Sequence, residues 1–323
     1  MPEQSPEGGS DLGSVLAHDA DYRDAPADAA TAMGAAVQSS TPSDTAKKKG
    51  IGFGGWLCVL WLGLLLVVAI SGTVTDQNIP GLPHPKEDVG DLKLPPFSPG
   101  HILGTNGSGE DMLSLVANGS SASLQIGVFS ILAGFLVGGL FGVLSGYFKG
   151  KIGGVLGSAT DILLAFPPLV LAISIVTFMG NSVFWVTTAL AIVSIPLIAR
   201  IARAATLSWS EREFVTAARA QGAKHVRVMV REIVPNVLPA MLSIALLGVA
   251  VVIVAEAGLA IVGAGVTTDT TTWGSTIELG RQDIRDAPHI VLIPSFVIFV
   301  TVMALNYLGD TLRAKFDVRE SAL

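Results

Sequence analysis

The sequence predicts an all-α integral membrane protein with six transmembrane helices, preceded by a disordered N-terminal tail. Half of the 323 residues are hydrophobic, only 14% are charged, and the mean hydropathy is +0.60. An ordinary soluble domain carries about a quarter charged residues, so this apolar surplus is too large for one soluble core. Long charge-free runs mark the segments that are expected to cross the bilayer.

Residues 1–49 form the predicted acidic cytoplasmic tail. The first 46 residues hold eight acidic side chains and one basic side chain, and they are rich in Ala, Asp, Ser, Gly and Pro. Such a segment buries too little apolar surface to offset the entropy lost on folding, so it is predicted to be disordered. The net charge of −6 belongs to this tail, because bases and acids nearly balance in the rest of the chain.

Six spans are predicted within residues 50–319, and residues 320–323 form a short C-terminal tail. The apolar run 162–199 would be about 57 Å long as one helix, whereas a hydrocarbon core is only about 30 Å thick. It is therefore predicted to fold as two spans with a turn at 179–182. The first part of the second run, 113–123 (LSLVANGSSAS), is too polar for lipid and is expected to be interfacial. The predicted spans are about 53–75, 122–147, 160–180, 183–203, 236–263 and 288–310.

The distribution of basic residues orients these spans. An even number of spans places both termini on one side, and the positive-inside rule makes that side cytoplasmic, because 16 of the 20 bases then lie inside. This orientation predicts an extracellular loop at 76–121 and a cytoplasmic segment at 204–235. The chain is expected to be a multi-pass protein of a bacterial inner or plasma membrane.

Several function classes lack the residues that they require. The single cysteine, Cys58, excludes a disulfide framework and a cysteine-based zinc site. No G-x-x-x-x-G-K-[ST] phosphate-binding loop is present, so the chain is not expected to bind and hydrolyse ATP itself. No cluster of His, Asp, Glu or Cys indicates an active site. The sequence thus predicts no catalytic residue, no metal site, no cofactor held by this chain and no nucleic-acid partner.

The cytoplasmic segment contains a short predicted helix that ends at Gly222. Ser210 is its expected N-cap, and Glu213 three residues later would complete a capping box. Glycine at position 222 is a typical C-terminal stop. One narrow face of this helix carries Phe214, Ala217, Ala218 and Gln221. The pattern alone favours equally a helix docked in a groove of another protein and a helix that lies on the membrane surface.

Motifs along the chain resemble those of ABC importer permeases. Residues 216–222 (TAARAQG), followed by 233–236 (IVPN), are similar to the "EAA" loop of these proteins. Further similar segments occur in the family's order, at 101–106 (HILGTN), 161–167 (DILLAFP), 212–215 (REFV), 263–266 (GAGV), 273–274 (WG) and 306–310 (NYLGD). Over residues 51–319 the chain resembles the C-type permease subunit of the dipeptide/oligopeptide/nickel importers, which have the type I ABC importer fold.

The resemblance implies an ATP-driven importer of di- or oligopeptides, with nickel or another small solute as the alternative. It implies a second permease subunit in a heterodimer, two cytoplasmic ATPases that bind ATP and Mg, and an extracellular solute-binding protein. The short cytoplasmic helix would couple the permease to an ATPase. The residues carried over to this role are Glu211, Arg212, Glu213, Phe214, Thr216, Ala217, Ala218, Arg219 and Gly222. Thr216 stands where the family has the glutamate of its triplet.

Glu256 is the one charged residue within the fifth predicted span. A charge at the centre of a span costs about 2.5–3.5 kcal/mol on insertion scales, so this side chain should face protein or water. It is a candidate pathway-lining or gating residue, and the alternative is a hydrogen bond between helices near the outer end of the span. A stand-alone secondary transporter, with ion sites at Glu256 and Asp161, is the alternative function from another class. It is weakened by the lack of an inverted repeat.

Overall fold

A computed structural model describes residues 52–75, 79, 82–83, 90–267 and 270–320, with side chains as far as residue 314. Within these ranges every regular element is a helix. The predicted disordered tail, 1–49, lies outside the described residues, as does most of the predicted loop between 76 and 89.

The helices supply six candidate spans. Among the described residues five helices are long and apolar enough to cross a membrane alone, and a bent pair makes a sixth if it is one span, which agrees with the predicted count. The five are α1 (Phe53–Val74), α2 (Met112–Tyr147), α5 (Val183–Ser210), the continuous helix His225–Ile261 and α10 (His289–Glu320). The continuous helix consists of α7 (His225–Val228), a π-helical turn (Met229–Ile233) and α8 (Val234–Ile261). Two short helices, α6 (Glu213–Ala220) and α9 (Trp273–Gly280), lie between spans.

The third predicted span, 160–180, in which Pro167 and Pro168 indicate a kink, is a pair of separate helices. It consists of α3 (Lys151–Ala165) and α4 (Pro168–Met179), which meet at 87°. The break has a local cause, because a residue before proline is driven to extended backbone and the helix must end there. Pro167, which precedes Pro168, has ψ 123°. The predicted turn at 179–182 is confirmed, since α4 ends at Met179 and α5 begins at Val183.

Helix α2 begins at Met112, ten residues before the predicted start of the second span at 122. Asp111 caps α2, because its carboxylate accepts a hydrogen bond of 2.9 Å from the Ser114 amide. The Ser114 hydroxyl donates to the Pro83 carbonyl, whereas two other serine hydroxyls of this stretch donate to carbonyls of their own helix. Ser120 and Ser121 bond in this way at 2.6 and 2.8 Å. Protein rather than lipid surrounds the segment, as Asn118 is fully buried.

Helices α2 and α5 pack backbone to backbone along a row of glycines. A Cβ atom at Gly138 would lie 2.5 Å from the Ile195 carbonyl oxygen, and one at Gly146 would lie 2.8 Å from that of Arg203. The Ser130 hydroxyl adds a hydrogen bond of 2.9 Å to the Thr187 carbonyl. Small residues permit this close approach where lipid offers no hydrophobic driving force between helices. We therefore treat α2 and α5 as one rigid pair.

The segment 90–111 folds over the connection between α9 and α10. Lys93 forms an ion pair of 2.7 Å with Asp283, and the His289 ring lies 3.1 Å from the Thr105 carbonyl oxygen. The hydrogen bond from Lys93 to Asp283 raises the pKa of the ammonium group above its ordinary value of 10.5. On the neighbouring face, Trp273 of α9 is fully buried, and its indole N–H donates to the Val116 carbonyl at 2.9 Å. These contacts fix α9 against the first turns of α2.

Candidate functional site

Helix α6 lies at the opposite end of α2 from α9, in the segment that the sequence singled out. It spans Glu213–Ala220, and Arg212 occupies the N-cap position without a side-chain capping bond. The predicted capping box is therefore wrong. Ser210 is instead the last residue of α5, and its hydroxyl donates to the Leu207 carbonyl at 2.9 Å. Because α5 continues past the predicted 203, only two residues, Glu211 and Arg212, connect it to α6.

The predicted glycine stop of α6 is confirmed. Gly222 has φ +82°, a left-handed conformation that side-chain-bearing residues adopt at a cost. Its amide donates to the Arg219 carbonyl at 2.9 Å, and the Ala223 amide donates to the Ala218 carbonyl at 3.1 Å. These two bonds form a Schellman motif, which ends the helix sharply and turns the chain towards α7.

One residue of α6, Val215, is fully buried. It enters an apolar group that we call the basal cluster, which joins the ends of α2, α5 and α8 to the short helices α6 and α7. The members are Val143, Tyr147, Ile198, Ala202, Val215, Val228, Met229, Ile233, Val237 and Met241. Helix α6 is thus held against the spans by one side and leaves its other sides free.

The face predicted to dock is largely exposed. Phe214 is 40% exposed, Ala217 and Gln221 are also exposed, and Ala218 is half-buried at the edge of the basal cluster. An exposed phenylalanine beside small side chains is suited to a groove of another protein. Thr216 is exposed as well, and its hydroxyl lies 3.5 Å from the Arg212 carbonyl oxygen within the first turn.

The charged residues of the segment interact with aromatic rings and with the end of α2. The Arg212 guanidinium lies 5.1 Å from the centre of the Trp209 ring, and the Arg219 guanidinium lies 4.9 Å from the centre of the Tyr147 ring. Both distances are within the range of cation–π attraction. Glu211 forms an exposed ion pair of 3.2 Å with Lys149, just after the end of α2. Glu213 lies in the first turn of α6, where a negative charge complements the helix dipole.

Sequence reasoning missed the part that Tyr147 and His225 play in this site. The Tyr147 hydroxyl and His225 Nδ1 are joined by a hydrogen bond of 2.9 Å across 78 positions of sequence. Both residues line a pocket of about 360 Å³, together with Phe148, Lys149, Ser210 and Arg219. No local pattern connects the last residue of one span with a helix so far along the chain. The only sequence signal was an aromatic residue at the end of a predicted span.

Glu256 lies far from this site, beside α9, and is fully buried. Its Oε1 atom accepts a hydrogen bond of 2.8 Å from the Thr272 hydroxyl, while Oε2 has no hydrogen-bond partner among the described residues. Thr272 is also the N-cap of α9, where its hydroxyl accepts from the Ser275 amide. This placement favours a bond between α8 and α9 over a side chain that lines a pathway. Asp161, the other candidate ion site, lies inside α3 and pairs with Arg200 at 3.3 Å.

The family of the chain follows from a match that includes the basal cluster and α6. Residues 138–321, more than half of the chain, match the family described as the binding-protein-dependent transport system inner membrane component. The chain belongs to this family. It is therefore a multi-pass permease subunit of an ABC importer, and membership implies an ATPase and a solute-binding protein as partners.

Curated relatives agree with this assignment. The permease is 36% identical over 217 residues to the dipeptide transport system permease protein DppC of Alkalihalophilus pseudofirmus, which covers 67% of this chain and 71% of the relative. It is 35% identical over 220 residues to the glutathione transport system permease protein GsiD of Pectobacterium atrosepticum, covering 68% and 73%. The predicted resemblance to peptide importer permeases is confirmed.

Solved structures support the fold of the permease. An inward-facing MetNI methionine ABC transporter matches with a TM-score of 0.55 at 21% identity, covering 63% of this chain and 97% of that chain. An amino acid ABC transporter matches with a TM-score of 0.51 at 18% identity, covering 63% and 94%. The predicted type I importer fold is confirmed.

Proposed function

We propose that this permease is half of the membrane pathway of an ATP-driven importer of di- or oligopeptides. The observation that carries the substrate class is the similarity to permeases named for dipeptide and glutathione transport, over two thirds of the chain. Glutathione is itself a small peptide, so both names point to the same class of solute. The other half of the pathway is a second permease subunit, and a solute-binding protein delivers the peptide from outside.

Helix α6 is the proposed contact with a cytoplasmic ATPase. The support is geometric, because Val215 and the basal cluster hold one side of the helix while Phe214, Ala217 and Gln221 remain exposed. In this proposal Phe214, Thr216, Ala217 and Ala218 enter a groove of the ATPase, with Glu211, Arg212, Glu213 and Arg219 around its rim. Gly222 ends the helix so that it stays short enough to dock. The ATPase binds ATP and Mg, and this chain holds neither.

The proposed docking fixes the orientation of the permease. With α6 in the cytoplasm, α9 and the segment 90–111 lie outside, and both termini lie inside. Glu256 then sits near the outer surface, where it bonds α8 to α9. A reporter enzyme fused after residue 323 should be active only when the reporter functions in the cytoplasm.

Uptake in cells tests the substrate class. Cells with and without this gene are given labelled short peptides and, separately, radioactive nickel. Loss of peptide uptake alone, restored by the intact gene, is the expected result. Loss of nickel uptake alone would overturn the peptide assignment and place the permease in the metal branch of the family. If neither uptake changes, the solute belongs to another class.

A matched pair of variants tests the coupling role. Phe214→Asp places a charge on the proposed docking face and should abolish uptake while the level of the permease in the membrane stays normal. Val226→Asp is the control, because Val226 is 66% exposed and lies just outside α6, in α7. Normal uptake by the Phe214→Asp variant would refute the docking of α6.

A further inference from the structure

Helix α6 has few direct attachments to the spans that must move during transport. It follows α5 after two residues, and it buries Val215 in the basal cluster. Ala218 adds a half-buried contact at the edge of the same cluster. A contact between α6 and the end of α2 would give movement of α6 a route to the spans besides the covalent connection to α5.

Tyr147 provides that attachment from the end of α2. Its side chain is 6% exposed and belongs to the basal cluster. The ring lies under the guanidinium of Arg219, in the last turn of α6, at 4.9 Å. The hydroxyl is bonded to His225, the first residue of α7, at 2.9 Å. One side chain thus holds both sides of the turn at Gly222.

The position of Tyr147 gives these contacts a mechanical consequence. Tyr147 is the final residue of α2, and α2 is packed along its glycine row against α5. A displacement of α6 that is passed to Tyr147 therefore moves the α2–α5 pair as a unit. Without Tyr147, the remaining attachments near the end of α2 are the rest of the basal cluster and the exposed ion pair between Glu211 and Lys149.

We propose that Tyr147 is a positioning residue that transmits the movement of α6 to the α2–α5 pair. This inference rests on the proposed docking of α6 to an ATPase. Tyr147 acts through Arg219 and His225 and touches neither solute nor nucleotide. Its loss should therefore reduce the number of solute molecules moved per ATP hydrolysed, rather than the assembly of the complex or its ATPase rate.

The test uses the complete importer, purified from its own host and placed in vesicles. Tyr147→Phe keeps the ring over Arg219 and removes only the hydroxyl. Loss of one hydrogen bond is expected to lower transport per ATP about three- to tenfold. His225→Leu removes the same hydrogen bond and should give the same loss, whereas His225→Gln should give a smaller loss. The double variant Tyr147→Phe/His225→Leu should lose no more than either single variant, because both changes remove one and the same bond. Tyr307→Phe, the same change at a tyrosine on α10, is the control.

Each outcome decides a separate point. A wild-type ratio of transport to ATP hydrolysis in Tyr147→Phe overturns the inference, as does a double variant whose losses multiply. If Phe214→Asp abolishes uptake while Tyr147→Phe keeps the wild-type ratio, the docking of α6 stands and only the role of Tyr147 fails. If Phe214→Asp leaves uptake normal, the docking itself fails. Equal amounts of co-purified ATPase in the Tyr147 and His225 variants and in wild type exclude a defect of assembly in those variants.

Discussion

Replacing Gly138 with alanine should destabilise the permease, although alanine favours helix more than glycine does. The new Cβ atom would lie 2.5 Å from the Ile195 carbonyl oxygen and 3.2 Å from the Ala199 amide nitrogen, whereas ordinary contact begins at 3.4 Å. Helices α2 and α5 must separate by about 0.9 Å at this point to accommodate it. The separation would loosen the neighbouring close contact, in which a Cβ at Gly134 would lie 3.0 Å from Ser194 Cβ.

The magnitude of the effect follows from two opposing contributions. Overpacking in a close-packed interior costs about 1–3 kcal/mol. The gain in helix propensity from glycine to alanine returns up to about 1 kcal/mol. The net loss should lower the midpoint of thermal unfolding, at about 2–4 °C per kcal/mol for a chain of this class.

The assay is thermal unfolding of the solubilised importer in one detergent. Gly63→Ala on α1 is the matched control, because a Cβ atom there meets no atom within 4 Å and only the propensity gain remains. We expect the Gly138→Ala variant to melt below wild type and the Gly63→Ala variant to melt at or above it. A Gly138→Ala variant that melts at or above wild type would refute the close packing of α2 and α5.

Three further predictions concern single bonds and one turn. Thr272→Val leaves the buried Glu256 without its hydrogen-bond donor and should lower the free energy of unfolding by about 1–3 kcal/mol. Thr272→Ser keeps the hydroxyl and should melt like wild type. Equal melting temperatures of the two variants would contradict the bond between Thr272 and Glu256. The pKa of Lys93 is raised by its bond to Asp283, so the stability from this pair is fully present below pH 10.5 and is lost as the pH rises through the raised pKa. The difference in unfolding free energy between wild type and Asp283→Asn should therefore shrink at alkaline pH. A difference that stays constant with pH would contradict the ion pair between Lys93 and Asp283. Gly222→Val should reduce uptake more than Gly222→Asn. Neither side chain would meet a neighbouring atom, but a β-branched valine adopts φ +82° at a higher cost than asparagine does. Equal uptake by the two variants would show that the left-handed turn is not required.

The sequence predicted the number of spans because hydrophobic length is a local property. The two prolines at 167–168 indicated a kink in the third span, but the size of the bend, 87° between two separate helices, was not predicted. A run of apolar residues shows that a segment is buried in lipid or protein, but not whether it is straight. The start of α2 at Met112 was missed because serine and asparagine look too polar for a span. Ser120 and Ser121 donate their hydroxyls, and Asn118 donates its side-chain amide, to carbonyls of their own helix.

The short cytoplasmic helix proposed to dock was located from its sequence, but its attachment to the spans was not. Gly222 was predicted as the end of the helix because glycine directly after a helical pattern commonly adopts the left-handed conformation that terminates a helix. The capping box failed because α5 extended through Ser210 and left that side chain facing its own helix. Tyr147 and His225 lie 78 positions apart, so only the folded chain brings them together.

The most direct test of the account is photo-crosslinking from α6. A photoreactive amino acid at position 217, which is exposed on the docking face, is introduced into the importer in its own membrane, and adducts are identified by mass spectrometry. The account predicts an adduct with an ATPase subunit that carries a phosphate-binding loop, and no such adduct from position 97 in the segment 90–111. An importer that transports normally but forms no ATPase adduct from position 217, or forms it equally from position 97, would contradict the account.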